Sequence, residues 1–290
     1  MSFNPILQTV TPVFLIILVG FIIGKLKKLN INPLTDLVVY IAGPCLIFSA
    51  ISRSDINLTD FTAIFTIAIA VILILALILF IILKLSRSKK LGLYLPISVG
   101  NTGYLGYPIA LFAFGTAGLS RAVVYDMAGS LMLFSLGIYI LTNKQGIKEV
   151  LKVPLVYSVI IGLLFSLLKL PVPDAIFKPI EMVGAITIPL ALLLLGYKLT
   201  TIKINSIKIA MLASLMRIIG GFLVALILIK IFSITGLVKN IILLQSAMPS
   251  AVMSMILTTK YNKDSELVAS IVFLSTVLSI LSIPLILWFL

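Results

Sequence analysis

The chain has 290 residues, 61% of them hydrophobic and only 11% charged, against about 45–50% and about 25% in an ordinary soluble domain. That balance argues against a water-soluble fold, and at about 20 apolar residues per crossing the chain has material for roughly ten passages of a bilayer. Histidine is absent and Cys45 is the single cysteine, so an intramolecular disulfide is excluded and histidine-based zinc, haem and proton-relay chemistry lacks its usual ligand. The net charge of +13 lies in short clusters between apolar runs, a pattern of positive-inside retention rather than of nucleic-acid binding.

Ten apolar runs follow one another near 8–26, 35–52, 61–83, 93–114, 120–141, 153–170, 178–197, 206–230, 238–259 and 266–289. The first has no basic residue before it, whereas Lys25, Lys27 and Lys28 follow it, so it is expected as a span with the amino terminus outside and not as a cleaved signal. The second carries Pro44 in VVYIAGPCLIF.

The fourth reads LYLPISVGNTGYLGYPIALFAFG. From Asn101 to Pro108 it is a poor helix: Gly103 and Gly106 each cost about 1 kcal/mol, and Pro108 offers no N–H while crowding the carbonyl four residues back, for about 3 kcal/mol more. Backbone freed at membrane depth is tolerated only where protein or a water-filled cavity satisfies it, so this stretch is expected to line a site. A simple proline kink is the bland alternative.

Asp126 lies in the fifth run, six residues past Ser120, where it reads either as an acidic group favourable to a helix start or as an ion or proton site. The seventh run carries Pro189 in VGAITIPLALL, and the eighth carries Arg217 twelve positions in. An arginine at that depth must face protein or water. A structural pair with Asp126 is the expectation for it, and a counter-charge for a substrate carboxylate is the alternative.

In the ninth run, LLQSAMPSAVMS places Pro249 four residues after Gln245, which frees the Gln245 carbonyl beside an amide side chain that needs its own partners. Two matching breaks argue for facing half-helices. Their restarts near Gly106–Ile109 and Pro249–Val252 would bring unpaired N–H groups and positive partial charge to an anion, and the ends at Asn101 and Gln245 would offer carbonyls to a cation or polar group.

Assigning the 22 Lys and Arg residues to loops puts fifteen on one side, after runs 1, 3, 5, 7 and 9. Six lie opposite: Arg53, Arg121, Lys169, Lys178, Lys230 and Lys239. Both termini are therefore expected outside. Pro44 and Pro189 stand 145 residues apart, half the chain, so residues 1–145 and 146–290 read as two five-span repeats. An odd number of spans gives them opposite polarity.

NTGYLGYPIA resembles the asparagine-glycine-proline signature of the auxin efflux carrier family, and QSAMPSAV followed by LVASIVFLSTVLSILSIPL is similar to that family's carboxyl-terminal half. The resemblance implies an all-α polytopic membrane protein of ten helices with the bile-acid-symporter-like fold. Spans 1, 2, 6 and 7 (about 8–52 and 153–197) would be a scaffold, through which a homodimer is expected. Spans 3–5 and 8–10 (about 61–141 and 206–289) would be a moving domain holding the crossing broken spans. The motif positions are Asn101, Gly103, Gly106, Pro108, Pro249 and Gln245, and the chain lacks the long central loop of plant members. The shorter prokaryotic members are the closer match, and they suggest organic anions such as dicarboxylates.

The sequence thus leads to a secondary transporter of the prokaryotic cell membrane that moves a small organic anion by elevator-type alternating access, with no cofactor or metal. The expected substrate shell is Asn101, Gly103, Tyr104, Gly106, Tyr107, Pro108, Gln245, Ser246, Met248 and Pro249. Asp126 and Arg217 serve a coupling proton or sodium ion, or pair with each other. An intramembrane enzyme or a solute channel is the rival, but no nucleophile elbow, metal motif or phosphate loop is present and the polar residues concentrate at two breaks.

Overall fold

The computed structural model describes residues 3–142 and 154–290, and among these nearly everything is helical. In chain order the helices are α1 (Phe3–Leu26), α2 (Asn32–Ser52), α3 (Leu58–Leu85), α4 (Tyr94–Ser98), α5 (Thr102–Thr142), α6 (Pro154–Leu167), α7 (Asp174–Leu199), α8 (Ile207–Ile231), α9 (Gly236–Ser246), α10 (Val252–Lys260) and α11 (Ser265–Phe289). Seven of them, α1, α2, α3, α5, α7, α8 and α11, are each long and apolar enough to cross a membrane. The ten runs of the sequence exceed these seven in three places. Parts of runs 4 and 5 both fall within α5, whose two helical parts are separated by a turn at Gly115, run 6 is the 14-residue α6, and run 9 is divided between α9 and α10. Lys144, Lys148, Lys152 and the 145/146 boundary lie outside the described residues.

The apolar sequence forms helices even where it is rich in isoleucine and valine, because in hydrocarbon a helix alone satisfies its own backbone within one segment. In α3 the start is fixed by Asn57, whose side chain accepts the Asp60 N–H at 2.7 Å, a cap that offsets one of the free first-turn donors. Ile64, Ala68, Val71 and Leu75 of α3 are buried, while Leu73, Leu77, Phe80 and Ile81 are exposed. An outward apolar belt of that kind suits lipid and would be costly in water.

Close helix packing relies on glycine. A Cβ at Gly20 would run into the Leu193 carbonyl, and one at Gly196 into the Ile17 carbonyl, so α1 and α7 approach backbone to backbone. The second half of α2 packs on α6 and the start of α7; α3 packs on α5, α8 and α9; the first part of α8 packs on α11. Several acidic groups sit at helix starts, Asp60, Asp174, Asp264 and Glu266 among them. Arg53 pairs with Asp174 at 2.7 Å and Arg121 with Asp60 at 2.5 Å, while Asp264 accepts the Gly92 N–H at 3.0 Å and Glu266 accepts from Asn205 at 2.6 Å.

Helical irregularities recur in both halves. Pro44 follows a π turn at Val38–Ala42, and Pro189 follows the turn at Ile186 that separates Ala185 from Thr187. Run 9 is interrupted at Ala247–Ala251, around Pro249. Run 4 is interrupted slightly earlier than its sequence indicates. α4 ends at Ser98 and Val99 is extended (φ −112°, ψ 126°), whereas Thr102–Gly106 is a π turn and Pro108 falls in the first turn of the following α-helical stretch. The wide turn, closed by the Gly106 N–H to the Asn101 carbonyl at 3.1 Å, takes up the proline, whose missing N–H is no loss at a helix start. Ser120, at the start of the fifth apolar run, is not the start of a helix. The chain turns at Gly115 (φ 65°, ψ −162°), and Ser120 lies buried beyond it, donating to the Ala117 carbonyl at 3.1 Å.

Candidate functional site

The two interruptions lie side by side. Gly100 and Ser250 form an antiparallel bridge, with the Asn101 N–H donating to the Pro249 carbonyl at 2.6 Å and the Ala251 N–H to the Val99 carbonyl at 3.1 Å. Each gap thereby satisfies backbone groups that the other has freed, which is how irregular chain survives in an apolar interior. Ser250 is tied down further: its N–H reaches Ser275 Oγ at 3.1 Å and its Oγ donates to the Pro96 carbonyl at 2.7 Å. Gly100 lets the strands approach, since a Cβ there would stand 3.3 Å from the Met248 carbonyl.

On one side of this pairing a cavity of about 390 Å³ opens, a size suited to a small organic solute. Asn101, Thr102, Gly103, Tyr104, Tyr107 and Pro108 line it from the start of α5, and Ala251, Val252 and Met253 from the start of α10. Both helices therefore point their amino-terminal ends, with free N–H groups and positive partial charge, toward the same space. Asn101 is 5% exposed and its Nδ2 has no hydrogen-bond partner.

Asp126, from the second part of α5, also faces the cavity. Its Oδ1 accepts from Thr102 Oγ1 and its Oδ2 from Tyr107 Oη at 2.8 Å. Gly103 leaves room beside it: a Cβ at that position would be 3.5 Å from both carboxylate oxygens. Ser130 of α5, Thr187 and Ile188 of α7 and Tyr40 of α2 also line it, and Lys260 stands at the exposed end of α10.

Of the ten expected substrate-shell residues, Asn101, Gly103, Tyr104, Tyr107 and Pro108 line the cavity. Gly106, Gln245, Ser246, Met248 and Pro249 lie outside its lining. Gln245 is fully buried with both amide atoms unpartnered, and its side chain packs where a Cβ on Gly106 would stand. Ser246 Oγ is 2.8 Å from Tyr125 Oη, also within the protein. The sequence reading missed Thr102, Thr187, Tyr40 and Lys260. Thr102 stood inside the quoted signature, but Lys260 had the look of an ordinary loop lysine.

The expected Arg217–Asp126 pair is not formed. Arg217 is 1% exposed, and among the described residues no carboxylate lies within 4 Å of it. Its Nη1 donates to the carbonyls of Ser98 at 2.6 Å and Ile97 at 3.3 Å, and its Nη2 to the carbonyl of Ser246. Those are the carboxyl-terminal ends of α4 and α9, whose last carbonyls have no helical partner and carry negative partial charge. The reasoning from charges alone failed because the partners are backbone groups.

A helical membrane protein with a solute-sized, largely apolar cavity that carries a few polar groups at two facing helix interruptions has the anatomy of a membrane transporter. The chain belongs to the membrane transport protein family, whose model matches residues 5–148 and 141–287, and this bears out the resemblance to the auxin efflux carriers. It is 33% identical to an uncharacterized transporter of Methanocaldococcus jannaschii, over 98% of both chains. It is 30% identical to an uncharacterized transporter of Methanothermobacter thermautotrophicus, over 96% of both.

Proposed function

We propose that this transporter is a secondary carrier that moves a small organic anion, of the carboxylate class, by elevator-type alternating access. The architecture behind this reading is ten spans in two inverted repeats, 1–145 and 146–290, with the interrupted fourth and ninth spans crossing at the site. The halfway offset of Pro44 and Pro189 and the irregular turns beside both prolines support it. So does the antiparallel pairing of the two interruptions, since broken helices meeting near a midplane site are common to repeat-built carriers. In this reading α1, α2, α6 and α7 form the scaffold, through which two copies associate, and α3–α5 with α8–α11 carry the site across. The positive-inside count supports both termini outside a prokaryotic cell membrane.

The observation that carries the substrate class is Asn101. Its buried amide has two donors and no partner, and it lines the cavity among helix starts that favour negative charge. A carboxylate supplies the missing acceptors. Asp126 on the same cavity opposes a second negative charge, so a proton or cation on Asp126 is the natural companion of an entering anion. Tyr104 and Tyr107 provide apolar ring surface for the rest of the solute.

Counterflow in proteoliposomes tests this reading, with labelled mono- and dicarboxylates and with proton and sodium gradients imposed in turn. Saturable exchange of one such anion is expected, lost in Asn101→Ala. Flux without saturation or counterflow would indicate a channel instead, and a chemically altered solute would indicate an enzyme.

A further inference from the structure

The polar centre of the protein has a second side, and it is closed. Arg217 lies there in a π turn, Met216–Gly220, within α8. One extra residue in a helical turn re-aims a side chain, and such turns favour functional positions. Gly221 follows, and a Cβ on it would strike the Ser246 carbonyl and come within 2.7 Å of Arg217 Nη2. The absence of that Cβ brings α8 close enough for the guanidinium to sit between the ends of α4 and α9.

Three carbonyl oxygens from two helix ends, buried and without a carboxylate, make a ligand set for a cation. Each helix end contributes up to about half a negative charge, so the two together come close to balancing one guanidinium. We propose that Arg217 is a resident cation: its guanidinium occupies the carbonyl site between the two half-helix ends, so that no soluble monovalent metal ion is required there, and its removal opens that site to one. Coupling to an ion gradient, where present, then runs through the cavity side and not through these carbonyls.

This inference stands apart from the choice of substrate, because it is read from the stability of the protein without any solute. Purified full-length protein is unfolded by heat in choline, sodium or potassium chloride at constant ionic strength, with and without added guanidinium at low concentration. The wild type is expected to unfold at the same temperature in all three salts. Arg217→Ala is expected to unfold several degrees lower in choline and to recover most of that loss with sodium, potassium or guanidinium. A wild type stabilised specifically by sodium or potassium would overturn the proposal, because the metal would already have a place. So would an Arg217→Ala variant that is destabilised yet indifferent to every cation, or an Arg217→Met variant as stable as the wild type. Should Arg217→Ala not fold, Arg217→Lys against Arg217→Met decides. The proposal requires the lysine variant to fold and the methionine variant to fail, and equal behaviour of the two contradicts it.

Discussion

The two sides of one pairing of chain segments carry opposite chemistry. On the cavity side α5 and α10 begin, and the space they face is lined by Asp126 and by Asn101, whose buried amide nitrogen has no partner. On the other side α4 and α9 end, and their carbonyls close on Arg217, which is 1% exposed. Two helix interruptions that pair antiparallel give this asymmetry with no further design, because every helix has a positive start and a negative end. The sequence leaves the starts open for a solute and fills the ends from within.

The largest effect is expected on the open side. Asn101→Ala removes two donors from the cavity while the backbone bonds of residue 101 to Pro249 and Gly106 remain, so transport should be abolished at normal membrane insertion. Uptake assayed at matched expression checks this, and near-normal uptake would break the comparison at its most exposed point.

On the closed side the expected loss is in folding. Arg217→Met orphans three buried carbonyls, each worth about 1–3 kcal/mol when left unsatisfied. Adding Asp126→Asn should not restore the loss, since the two side chains are not paired. Thermal unfolding of the single and double variants is the measurement, and recovery in the double would reinstate an ion pair.

Between the two sides lies Gly106, where a methyl group meets the buried Gln245 side chain. Gly106→Ala should cost about 1–3 kcal/mol by overpacking. Gln245→Ala in the same chain should relieve part of it, a coupling read from a double-mutant cycle.

The smallest effect is expected at Pro108. In the first helical turn its replacement by alanine gains no backbone bond across the gap, so stability should change by less than about 1 kcal/mol. A large stabilisation would mean that the proline itself keeps α4 and α5 apart.

What could be read beforehand depended on where the information lies. Pro249 marks the interruption of run 9 closely, because a proline next to small polar residues leaves a helix few ways to continue. Run 4 breaks earlier than Gly103, Gly106 and Pro108 indicate, at Val99–Asn101, where Gly100 and Asn101 are themselves poor helix formers and where backbone bonds to the other segment hold the chain. The membrane class and Asn101 at the cavity were legible from composition and motif. The surroundings of Arg217 were not, for an inventory of side chains holds no record of which backbone carbonyls a fold will aim at them.

The difference between the two sides is tested most directly by thiol labelling in membranes, with Cys45→Ser as background so that the chain carries no native thiol. Ser130→Cys faces the cavity and Ser246→Cys lies beside the carbonyl that holds Arg217. The account predicts that a small water-soluble thiol reagent modifies Ser130→Cys and that solute protects it, while Ser246→Cys stays unmodified with or without solute. Equal labelling of both positions would contradict it, because the closed side would then be open to water.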